Sequence, residues 1–113
     1  MKEIKAIIQP FLVSKVVDAL KEFEGLPGVT VSEVKGFGKG RARFATDKIV
    51  EDGIDYAKKT KLEIVVPDQL VEEVLQVVCS HARTGRPGDG KIFVSDVDEV
   101  VNIRTGERGD TAI

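Results

Sequence analysis

The chain has 113 residues, the length of one domain, and its 42% hydrophobic and 32% charged content excludes a disordered body. Seventeen basic against nineteen acidic residues give a formal net charge of −2, which argues against a non-specific nucleic-acid binder and gives no reason for attraction to an anionic membrane. No apolar run approaches the roughly 20 residues of a spanning helix, no signal-peptide pattern opens the sequence, and the single cysteine, Cys79, excludes an intrachain disulfide; the expected location is the cytoplasm, without membrane insertion.

Residues 2–9 alternate, with Ile4, Ala6 and Ile8 on one face and Glu3 and Lys5 on the other, which predicts a half-buried strand interrupted at Pro10. Val13, Val16, Val17, Leu20 and Phe23 then recur at helical spacing. Ser14 is the expected cap of that helix, and Gly25, Pro27 and Gly28 end it. Residues 29–34 are β-branched and short and predict a second strand; residues 61–66 predict a third. Pro67 and Asp68 open a second helix carrying Leu70, Val71, Val74, Leu75, Val77, Val78 and Ala82. Residues 84–90 form a turn-rich loop, residues 91–97 a fourth strand and residues 100–104 a short fifth, and the polar residues from about 106 to 113 form a flexible tail. The order is β-α-β, long loop, β-α-β: an α+β, ferredoxin-like split βαβ plan in a single domain over residues 1–113.

The long loop, about residues 39–57, exceeds the roughly 12–15 residues usual for a structureless connection, which marks it as functional. Its charged Arg41, Arg43, Asp47, Lys48, Glu51 and Asp52 keep it solvated. Its apolar Phe44, Ile49, Val50 and Ile54 have no use in an inert loop, so contact with a partner is expected.

Three near-motifs each have a plainer reading. Gly85-Arg86-Pro87-Gly88-Asp89-Gly90-Lys91 has P-loop spacing, but Ile92 stands where a magnesium-binding Ser or Thr belongs, and the segment runs from helix to strand rather than strand to helix. What survives is a run of glycines able to turn backbone N–H groups to an anion, with Lys91 beside it; the plainer reading is a simple turn. Lys35-Gly36-Phe37-Gly38 matches the first half of an RNA-binding pattern, but Lys39, Arg41 and Ala42 offer no stacking ring, so an RNA-binding module is the weaker alternative. Cys79 and His81, two apart on a helix, do not share a face, and no further Cys or His completes a metal site; the expectation is a buried thiol and a surface imidazole. No catalytic arrangement of Ser, His and carboxylate stands out. A small enzyme acting on a phosphorylated substrate remains the other alternative.

The opening Ile4-Lys5-Ala6-Ile7-Ile8-Gln9-Pro10-Phe11, the segments Val34-Lys35-Gly36-Phe37-Gly38 and Lys61-Leu62-Glu63-Ile64-Val65-Val66, the stretch from Thr84 to Val94 and Arg104-Thr105-Gly106-Glu107 together resemble the nitrogen regulatory P-II family over nearly the whole chain. The resemblance implies a homotrimer of ferredoxin-like subunits that bind ATP, ADP or AMP in clefts between neighbours and regulate a transporter, enzyme or regulator through the long loop, the T-loop. By that similarity Gly36, Phe37, Gly38 and Lys39 line the nucleotide. Ile7, Thr30, Glu63 and Val65 lie near the adenosine, Gly88, Asp89, Gly90 and Lys91 cradle the phosphates, and Arg104 reaches in from another subunit. Arg41, Arg43, Phe44, Lys48 and Ile49 belong to the partner-contacting loop.

The chain departs from the family at informative places. Gly40 stands where a glutamine helps hold the magnesium that binds 2-oxoglutarate, which puts 2-oxoglutarate in question as an effector and leaves bicarbonate open. Asp52 and Val50 replace the tyrosine and serine modified in some members, and Tyr56 is expected to pack. Asn102 replaces a phosphate-binding arginine, a loss that weakens a triphosphate more than a diphosphate or monophosphate. The lysine near the far end of the loop persists as Lys59. These departures imply a divergent member sensing the adenylates, with no catalytic residue, catalytic cofactor or metal.

Overall fold

The computed structural model describes residues 1–43, 45 and 47–113. The alternation at the N-terminus becomes strand β1, Lys2–Ile8, followed by helix α1, Val13–Lys21, and strand β2, Thr30–Gly36. Strands β3, Lys48–Glu51, and β4, Ile54–Val66, precede helix α2, Val71–Ala82, and strand β5, Gly90–Asp96. The sheet runs β2-β4-β1-β5 with every pairing antiparallel, and β3 joins β4 beyond the end of β1. This is the expected α+β, ferredoxin-like arrangement with a hairpin added.

Side-chain parity decides which face of the sheet the helices cover. Ile4, Ala6 and Ile8 of β1 and Thr60, Leu62, Ile64 and Val66 of β4 are buried on one face, where Val16 and Leu20 of α1 and Val74, Val78 and Ala82 of α2 meet them at helical spacing. The intervening residues, such as Lys5, Ile7, Lys59 and Lys61, point to the other face, which carries no helix.

Both helices start through a 3-10 turn, Pro10–Leu12 before α1 and Asp68–Leu70 before α2, each preceded by an extended residue, Gln9 or Pro67. The proline at position 10 fixes a helical φ early. Ser14 therefore lies inside the first turn of α1 and is not its cap; the cap position is Leu12, with no side-chain hydrogen bond. On α2 the expected burial is reversed. Cys79 is exposed, whereas His81 is half-buried with Nδ1 2.7 Å from the carbonyl of Val77. The inward stripe runs Val74, Val78, Ala82, so Cys79 falls just off it.

The long loop is not structureless. Asp52 and Gly53 take φ of 50° and 76°, the two positive angles of a tight type I′ turn, and residues on either side pair from Glu51↔Ile54 to Lys48↔Ala57. β4 therefore begins seven residues before the predicted start at 61. Its thirteen residues, at about 3.3 Å each, span about 43 Å, which accounts for a molecule 46 Å long. The hairpin is thus a ribbon continuous with the central strand of the sheet.

The C-terminal part differs in two ways. No strand forms over residues 100–104; a bridge between Val101 and Arg108 closes a turn instead. Gly109–Ala112 form a 3-10 turn with Ala112 buried, where a loose tail was expected.

Candidate functional site

A cleft of about 870 Å³ opens between the residues after β2, the root of the hairpin and the loop before β5, a size in the range of small-molecule sites. Of its sheet-derived lining, Ile7, Lys59, Lys91 and Phe93 have the parity of the helix-free face, and Lys35 and Lys58 at the hairpin root have the other.

The loop from Thr84 to Gly90 owes its shape to one carboxylate. Asp89 accepts hydrogen bonds from the backbone N–H of Thr84 at 2.9 Å, from that of Gly85 at 2.8 Å, and from the Thr84 hydroxyl. The Thr84 hydroxyl bond is the main reason its carboxyl lies below the usual carboxylate range; burial opposes it, and the two backbone donors and Lys59 each add a smaller downward effect. Gly90 is glycine by necessity: its φ is 105°, and a Cβ there would run into the carbonyl oxygen of Ile7. This close approach seats the start of β5 against the end of β1, where Ile8 pairs with Gly90.

Two side chains tie the loop to the sheet. Gln9 Nε2 donates to the Gly88 carbonyl at 2.8 Å, and Lys59 Nζ donates to the same oxygen. Partial burial lowers the pKa of Lys59, and the nearby Asp89 partly offsets this. Lys39, Arg43, Lys58, Lys59, Arg86 and Lys91 all line the cleft, against Asp47 and Asp89. With Asp89 already engaged by the loop, the cleft presents an excess of positive charge suited to an anion with several negative groups.

The hairpin root forms the opposite wall. Gly38 to Arg43 turn back on themselves: the Arg41 N–H reaches the Gly38 carbonyl at 3.0 Å and its guanidinium donates to the same oxygen at 2.8 Å. The guanidinium also lies 5.2 Å from the centre of the Phe37 ring, which sits 6.0 Å from the ring of Tyr56. Lys35 pairs with Glu51 and lies 5.2 Å from the Tyr56 ring. Tyr56 is therefore a packing residue, as expected.

The structure sorts the sequence-predicted residues into three groups. Ile7, Gly36, Phe37, Gly38, Lys39, Gly88, Asp89, Gly90 and Lys91 share the main cleft. Thr30, Glu63 and Val65 do not reach it; they line a separate hollow of about 390 Å³ near the other end of the strands, with Glu3, Pro27 and Gly28. Arg104 lines neither and stands in the C-terminal turn. Of the loop residues, Arg41 folds back towards Phe37, Arg43 lines the cleft, and Lys48 and Ile49 lie in β3; Phe44 falls outside the described residues. Sequence reasoning missed Gln9 and Arg86. Their part comes from proximity in space, and no spacing pattern marks either one.

The P-II family model, described as "Nitrogen regulatory protein P-II", matches residues 1–107. The chain belongs to the nitrogen regulatory P-II family. It is 48% identical over 113 residues to the "Nitrogen regulatory protein P-II" of Azospirillum brasilense, covering all of both chains. The protein of that name from Rhodospirillum rubrum is 47% identical, and "Nitrogen regulatory protein P-II 1" of Escherichia coli strain K12 is 48% identical, again over the full length of both. The chain is accordingly a P-II signal-transduction regulator acting on a partner protein, from a family of regulators rather than enzymes. No helix among the described residues is long and apolar enough to cross a membrane.

Proposed function

We propose that the chain is a cytoplasmic homotrimer that binds ATP, ADP or AMP between subunits and reports the adenylate state to a partner through the loop of about residues 39–57, whose far part is the β3–β4 hairpin. The observation that carries this reading is the position of the cationic cleft at the hairpin's root. Lys39, Arg43, Asp47 and Lys58 line the cleft and flank or begin the ribbon itself. A ligand there touches the element that would meet the partner. The trimer supplies what one subunit lacks: the hollow with Thr30, Glu63 and Val65 takes the nucleoside, the main cleft takes the phosphates, and Arg104 comes from a neighbour.

The signal requires that each nucleotide bind the hairpin's arrangements unequally, since equal affinity shifts no population. Asn102 lacks the charge of an arginine, so ADP and AMP bind at least as well as ATP. Gly40 offers no side-chain ligand to a magnesium ion, so 2-oxoglutarate does not strengthen ATP binding; bicarbonate is the remaining small anion to test as a third ligand. The chain acts by binding and not by turnover.

Isothermal titration with AMP, ADP and ATP, each with and without 2-oxoglutarate or bicarbonate, tests this on protein whose mass is measured by light scattering. About one site per subunit of a trimer, with ADP or AMP matching ATP, is the expected result. Tight ATP binding enhanced by 2-oxoglutarate would overturn the adenylate reading, and steady release of phosphate as the sole response would favour an enzyme.

A further inference from the structure

The turn over residues 102–107 is built to project. Ile103 is 102% exposed and Arg104 is exposed; among the described residues Arg104 has no ion pair. A fully exposed isoleucine beside an unpaired arginine does nothing for the stability of its own subunit.

The turn is nevertheless firmly shaped, and Asn102 shapes it. Its Oδ1 accepts the backbone N–H of Arg104 at 3.0 Å and that of Thr105 at 3.2 Å, an Asx turn. Its own N–H donates to the Glu107 carbonyl at 2.9 Å, and its carbonyl accepts the Gly106 N–H at 2.8 Å. Four hydrogen bonds thus converge on one half-buried residue, and the Val101↔Arg108 bridge closes the base.

We infer that Asn102 is the positioning residue that presents Arg104 to the phosphates of a nucleotide held by a neighbouring copy; this rests on the reading in the preceding subsection. The charge balance supports the order of events. The cleft already carries an excess of cations, so bringing in another guanidinium is unfavourable until a phosphate lies between them. A preformed turn lowers the ordering cost of that late contact. Asn102 therefore replaces charge with geometry: it gives no contact to the ligand and fixes the residue that does.

A double-mutant cycle in the full-length protein tests this, with ADP and AMP as ligands. Arg104→Ala is expected to weaken ADP about ten-fold or more, and Asn102→Ala about five-fold. In the Arg104→Ala background, Asn102→Ala is expected to change affinity by less than about two-fold, because the residue it positions is gone. Asn102→Ser, whose hydroxyl makes the same turn more weakly, recovers part of the loss. The losses are expected to be smaller for AMP than for ADP, a dependence on phosphate number that a general loosening of the fold would not produce; thermal midpoint and mass are read alongside. Additive losses, or equal losses for both ligands, would overturn the inference. So would an unchanged Arg104→Ala protein whose parent binds nucleotide, which would leave the functional reading standing. A parent that binds no adenine nucleotide removes both.

Discussion

The two walls of the cleft are held by different means. The loop from Thr84 to Gly90 is stitched to itself by Asp89 and to the sheet by Gln9, Lys59 and the close approach of Gly90 to Ile7. The hairpin wall is held mainly to itself: one strand pairing to its own continuation, the Lys58 N–H on the Asp47 carbonyl, Arg41 on the Gly38 carbonyl, the exposed ion pair Lys35–Glu51, and the rings of Phe37 and Tyr56 at its base. One wall is tied to the sheet at several points, and the other projects from it on a two-stranded ribbon. Local stability sets which part of a protein moves on binding, and low-stability segments are the ones that carry signals.

Five measurements break or sharpen that contrast, from the largest effect down. Gly90→Ala forces a Cβ towards the Ile7 carbonyl at a positive φ. It should cost roughly 3 kcal/mol, read as a fall in thermal midpoint, whereas Gly53→Ala in the hairpin turn, with open space around it, should cost only about 1 kcal/mol and show in the exchange of β3 amides. Asp89→Asn replaces one acceptor with a donor among the N–H groups of Thr84 and Gly85 and should loosen the loop by about 1 kcal/mol, read by exchange at those two amides.

The same carboxylate sets an acid limit. Because its pKa in the folded chain lies below the usual value, its contribution is present above the ordinary carboxylate range and lost as pH falls through the lowered value. Loop protection should therefore decay in acid while the β3 amides stay level. Lys59 sets the alkaline limit with the opposite charge: burial lowers its pKa, so anion affinity should fall as pH rises through a value below that of an ordinary lysine. Calorimetry across pH checks the onset. Smallest of all is Lys35→Ala, which removes an exposed pair worth at most about 1 kcal/mol. It should leave the thermal midpoint nearly unchanged and raise exchange in β3 alone.

How far the sequence announced this arrangement depends on the period of the signal. The Ile4, Ala6, Ile8 alternation and the Val74, Val78, Ala82 stripe are local patterns with a buried face, and they mark the strand and the helix directly. The hairpin leaves little trace in the sequence because Lys48–Glu51 is short and mostly exposed, and its one strong local signal is the pair Asp52-Gly53. Ser14 misled because a proline start outweighed a side-chain cap. The glycines around the cleft were legible as positions needing unusual backbone angles. The roles of Gln9 and of Asp89's carboxylate were not, since a partner 79 residues away for Gln9, or a bond back onto the same loop, leaves no period to read. Asn102 could be read as a missing charge, but its turn-forming role appears only in three dimensions.

The exposed thiol on α2 gives the molecule a practical property. Cys79 is the chain's one cysteine and lies open on the helix layer, while Ile7, Lys59, Lys91 and Phe93 of the cleft belong to the opposite face of the sheet. A maleimide dye would therefore attach at a single defined point without crowding the ligand. Fluorescence anisotropy from that point could follow assembly and ligand-driven change in the unmutated protein.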